Sequence, residues 1–105
     1  MNDSKTEIKQ KSLRIVSPKL YNYIIQELED KHNIHSYDIQ IDASIMDEGM
    51  EITIRFGETF SNKESKFFPH KEIAEISDDI REFVAKTGEA CTEVLIDDYF
   101  KIYAP

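Results

Sequence analysis

Two spacings organise this chain. Between residues 20 and 28 the apolar side chains Leu20, Tyr21, Ile24, Ile25 and Leu28 recur every three to four positions on one face of a helix. Glu27, Glu29, Asp30 and Lys31 lie mostly away from that face. Ser17-Pro18 marks the helix start, because serine caps and proline at the first helical position forfeits no hydrogen bond; the helix is predicted to end near His32. From Tyr37 the spacing shortens to two: Tyr37, Ile39, Ile41, Ala43 and Ile45 alternate with Asp38, Gln40, Asp42 and Ser44, the mark of a half-buried strand. Met50, Ile52, Ile54 and Phe56 alternate in the same way with Glu51, Thr53 and Arg55. The two apolar faces coincide only when an odd position pairs with an even one. Ile45 is therefore expected opposite Met50 across Met46-Asp47-Glu48-Gly49, with Gly49 supplying a positive φ.

Beyond Phe56 the pattern loosens. Phe60, Phe67 and Phe68 flank the turn-forming Ser61-Asn62-Lys63-Glu64, which suggests a third short strand over residues 64–68. Pro69 is read as opening a helix that carries Ile73, Ile76, Ile80, Phe83 and Val84 on one stripe, runs to Thr87 and stops at Gly88. A last helix follows from Glu89 to Tyr103, with Cys91, Val94, Leu95, Tyr99 and Ile102 toward the core and a second apolar side of Ile96, Phe100 and Tyr103. The expected fold is a two-layer α+β domain, an antiparallel sheet of two or three strands packed against helices in the order α-β-β-(β)-α-α. Its other sheet face turns Asp38, Gln40, Asp42, Thr53 and Arg55 to water. Residues 1–16 are read as a mobile basic arm and residues 17–105 as the single domain.

Composition narrows the class. A chain of 105 residues, 40% hydrophobic and 32% charged, is long enough for one core and too short for two. Fifteen isoleucines against three glycines and three prolines exclude fibrous and low-complexity classes. No apolar run reaches the ~18 residues of a membrane span, and the polar start lacks a secretory h-region. With a single cysteine, Cys91, no intramolecular disulfide can form, so a buried apolar role for Cys91 and a cytoplasmic address are expected. Glu89 and Glu93 are expected to raise rather than lower its pKa. The Ile-, Lys- and Glu-rich usage points to a bacterial source.

Charge is uneven. Residues 1–19 hold Lys5, Lys9, Lys11, Arg14 and Lys19 against Asp3 and Glu7, a net +3, whereas the rest of the chain carries −11 within a total of −8. Nucleic-acid phosphates repel such a body, so no direct nucleic-acid partner and no membrane partner are expected. Glu75, Asp79 and Glu82 on one predicted helix, and Glu89, Glu93 and Asp97 on the next, could merge into one negative field if those helices pack antiparallel. Asp98 projects onto the apolar side of its helix, where a carboxylate needs water or a hydroxyl partner.

Catalytic signatures are sparse: no phosphate-binding glycine loop, nucleophile elbow, Cys-x-x-Cys or His-Glu-x-x-His occurs. His32-Asn33-Ile34-His35, with Asp38 or His70, is the best metal candidate, yet it lacks a four-ligand spacing and no metal or other cofactor is expected. The order helix, strands, helix over residues 18–87 resembles that of double-stranded-RNA-binding domains. Members of that family carry a basic motif at the start of the last helix, where this chain has Pro69-His70-Lys71-Glu72 followed by acids, so neither that fold nor RNA binding is carried over. The functional expectation is a small acidic, non-catalytic adaptor or regulator that binds protein through Glu89, Glu93, Asp97, Phe100 and Tyr103, homodimerises on that helix side and takes a basic protein partner. Its competitors are an acidic inhibitor that mimics nucleic-acid charge and a small metal-dependent enzyme built on His32 and His35.

Overall fold

A computed structural model describes residues 10–103, and the side chains of Ile102 and Tyr103 lie outside the described set. The elements are β1 (Gln10–Ser12), α1 (Leu13–Val16), α2 (Pro18–His32), β2 (Ile39–Ile45), β3 (Gly49–Phe56), β4 (Asn62–Pro69), α3 (His70–Glu75) and α4 (Asp78–Tyr103), with short 3-10 turns at Ser36–Asp38 and Glu58–Phe60. The strands form one antiparallel meander in the order β1-β2-β3-β4. Helices α2 and α4 cover one face of it, and the class is α+β as expected. No helix among the described residues is long and apolar enough to cross a membrane.

The β2–β3 register is the one that parity requires: Ile45 stands opposite Met50, and Ile41 opposite Ile54. That register places Ile39, Ile41, Ala43, Met50, Ile52, Ile54 and Phe56 in the core with Leu20, Ile24 and Leu28 of α2 and Ile80, Val84 and Cys91 of α4. Gly49, however, does not have a positive φ. It is glycine because a Cβ there would strike the Phe68 carbonyl oxygen and lie 2.8 Å from Pro69 Cα, so β4 can approach only a bare backbone.

The sheet has four strands rather than two or three. β1 occupies residues expected in the mobile arm, and Leu13, just after it, is fully buried; residues 1–9 lie outside the described set. β4 is longer than residues 64–68. Along it only Phe68 is buried, so most of the strand lacks the alternation that marks a covered face. On the open face, Asp42, Ser44 and Thr53 are nonetheless buried by their neighbours, Asp42 taking the Gln40 amide at 3.0 Å and Arg55 at 3.8 Å. Tyr37 and Asp38 are not strand residues. They sit in the 3-10 turn before β2, and Tyr37 is exposed.

The helix boundaries near the C-terminus move in both directions. The expected helix from Pro69 to Thr87 breaks at Ile76, which adopts a left-handed φ of 51°. Ser77 then caps α4: its Oγ accepts from the Ile80 N–H at 3.3 Å and donates to Glu72 at 2.8 Å. At Gly88, expected to be a stop, α4 continues through to Tyr103. The glycine is a notch, since a Cβ there would collide with the His32 imidazole at the end of α2. The backbone cost of about 1 kcal/mol for glycine in a helix interior buys the close approach of the two helices.

Candidate protein-binding surface

Twenty-six residues make α4 about 39 Å long at 1.5 Å per residue. It is anchored through Cys91: Ile80, Val84, Thr87 and Cys91 are buried. Its last turns leave Ile96, Tyr99 and Phe100 exposed at 50%, 57% and 61%. Tyr99, expected in the core, is thus a surface residue packed edge-to-face on Phe100 with ring centroids 5.7 Å apart.

The end of α2 supplies the opposite wall. Asn33 closes that helix in the left-handed conformation, φ 56°, its N–H bonded to the Glu29 carbonyl, and the next residue, Ile34, bonds its N–H to the Leu28 carbonyl and turns inward to 2% exposure. Between this turn and α4 lies a groove of about 510 Å³, walled by His32, Ile34, Thr92, Leu95, Ile96 and the Tyr99–Phe100 pair. Its lining is mainly apolar, and Thr92 turns its hydroxyl back to the Gly88 carbonyl at 2.8 Å, leaving its methyl to the surface.

Acidic side chains follow the rim. Glu89, Glu93 and Asp97 are exposed on α4, and at 100° per residue Ile96 and Phe100 fall in the same stripe, away from the core. Phe100 is therefore where the sequence placed it; Tyr103 ends α4, its side chain outside the described residues. The two-helix acidic field is corrected: Asp79, Glu82, Glu89, Glu93 and Asp97 share one continuous helix, and Glu75 ends α3. Leu95 and Ile34 are not legible as groove walls, because nothing in the sequence shows that the turn after α2 faces the segment of α4 around Leu95.

A second hollow of about 580 Å³ lies on the other side of Leu95, lined by Tyr37, Asp38, the 57–60 turn, Asp98 and Lys101. The turn holds Thr59 and Phe60 at positive φ, 55° and 54°, and Asp98 ties it to α4 by accepting the Glu58 N–H at 3.1 Å. A backbone amide is thus one partner of the half-buried Asp98 carboxylate.

The histidines do not converge. His32 lies over Gly88, His35 faces Glu29 at 3.3 Å and stacks on Tyr37, and His70 meets the Asp47 carbonyl at 3.2 Å. Among the described residues, no three His, Cys, Asp or Glu side chains group as metal ligands. Cys91 is buried, its thiol pushed up from 9.0 to about 11 first by burial and then by the charge of Asp38, not by Glu89 or Glu93. No protein-family model, curated protein or solved structure matches this chain.

Proposed function

We propose that this chain is a non-catalytic, cytoplasmic protein-binding module whose groove between the end of α2 and the second half of α4 takes an amphipathic, basic helical segment of another protein. One observation carries the reading: Ile96, Tyr99 and Phe100 stand exposed beside an apolar groove and in line with Glu89, Glu93 and Asp97. Large apolar side chains left in water mark interaction sites, and helix-in-groove recognition uses apolar anchors at helical spacing. The acids select a partner whose flanks are Lys or Arg and hasten its arrival. The nucleic-acid mimic is the weaker reading, because Ile96 and Phe100 interrupt the acidic row that phosphate mimicry needs.

The test is an NMR titration of the labelled protein with a designed Leu/Lys amphipathic peptide and with its Leu/Glu counterpart. The expected result is that shifts cluster at residues 32–34 and 92–101 for the Lys peptide, that Phe100→Glu abolishes them, and that ~0.5 M salt weakens binding as screening shortens to roughly 4 Å. Equal binding of both peptides, or shifts elsewhere on the fold, would overturn the proposal.

A further inference from the structure

The sheet ends in a free edge. β4 spans Asn62–Pro69 and pairs with β3 on one side only. Its residues 62–67 are all exposed, so among the described residues neither a helix nor a loop covers it. The His70 N–H bonds the Glu48 carbonyl directly opposite, and antiparallel pairs alternate, so the even residues of β4 direct their backbone groups at β3. Lys63, Ser65 and Phe67 therefore direct their N–H and C=O groups outward, an open template for one more strand.

We infer that this edge pairs with the β4 edge of a second copy, antiparallel about a two-fold axis at Ser65, joining two four-stranded sheets into one. Charge selects both the occupant and the register. An axis at Glu64 opposes that carboxylate with itself, and an axis at Lys66 does the same to the ammonium. An axis at Ser65 sets Glu64 of each copy opposite Lys66 of the other, twice, with no like charges directly opposite one another. In this register the outward groups of Ser65 face those of its own copy, and those of Lys63 face those of Phe67, so each edge amide meets a carbonyl. Glu64 and Lys66 fall at the non-hydrogen-bonded positions, where opposing side chains are closest. On the open face the Lys63 stem lies against the half-exposed Phe67 ring of the other copy. β1 offers no such seam, because its three residues carry a single charge, Lys11.

Sedimentation of the full chain from micromolar to near-millimolar concentration reads the outcome. The expected species is twice the 12.3 kDa of the chain. Glu64→Lys and Lys66→Glu should each weaken it about tenfold or more, since each replaces two attractive cross-strand pairs by two repulsive ones. Mixing the two single variants should restore the dimer as a heterodimer, and the double swap E64K/K66E should restore it as a homodimer. Both side chains are exposed, and the rescue shows that the variants fold. A monomer throughout, a dimer indifferent to both single variants, weakening without rescue in the mixture, or a dimer lost only in Phe100→Glu, which would move self-association to α4, each overturns the inference.

Discussion

Thr87 is the residue at which the core is least content. Its side chain is 1% exposed, and its Oγ1 has no hydrogen-bond partner among the described residues. A buried hydroxyl without a partner costs about 1–3 kcal/mol of desolvation. Thr87→Val keeps the shape and removes that cost, so urea unfolding should show a gain of about 1 kcal/mol, whereas Thr87→Ser, which keeps the hydroxyl and loses the methyl, should lose stability. An unchanged or lower midpoint for the valine variant would mean that the hydroxyl is satisfied after all. Cys91, one helical turn further on, makes the fold sensitive to alkali. Its thiol ionises near 11 when folded and near 9 when not, so between those values the unfolded chain has given up a proton that the folded one retains. Stability present below pH 9 is then lost as pH rises toward 11, by up to about 1.4 kcal/mol per unit. Cys91→Ala should start lower, because it opens a small cavity, and show a shallower fall over that window. Parallel slopes for the two proteins would refute the linkage.

At the scale of elements, the contact of α2 with α4 depends on what Gly88 lacks. Alanine normally improves a helix interior by about 1 kcal/mol over glycine, but here the new Cβ must displace the His32 ring. Gly88→Ala should therefore gain less than that in the native background and the full amount beside His32→Ala, a coupling that a double-mutant cycle in denaturant measures. Additive changes would mean that the two residues do not share the notch. The same glycine shows where sequence legibility ends. α2, the β2–β3 hairpin and its register were readable because one periodic face had one use, burial against the other layer. Gly88 reads as a terminator because a stop and a notch use the same residue and only the position of His32 distinguishes them. β1 was invisible for a different reason: Gln10, Lys11 and Ser12 are all exposed, and their order comes from backbone pairing with β2, which no side-chain pattern encodes. At the candidate surface Phe100 and the acids could be picked out by their place on the helix wheel. Tyr99 could not, since a wheel does not say which neighbouring elements reach that turn of the helix.

The molecule as a whole measures 55 × 35 × 19 Å. One continuous helix, rather than two packed antiparallel, makes its acidic side chains a line instead of a wall, so a basic partner should lie along α4. Continuity also joins two environments on one rod: Ile80, Val84, Thr87 and Cys91 sit inside the core, while Ile96, Tyr99 and Phe100 line the groove and are exposed. Local opening needs less free energy where fewer buried contacts must break. Amide hydrogen exchange along α4 should accordingly slow to the global limit near Val84 and Thr87 and quicken turn by turn beyond Val94. A uniform rate along the helix would contradict that gradient. The steep end coincides with the proposed seat of a partner, and protection gained there on binding would be a signal confined to the last turns. The helix would report its own occupancy while the sheet beneath it exchanged unchanged.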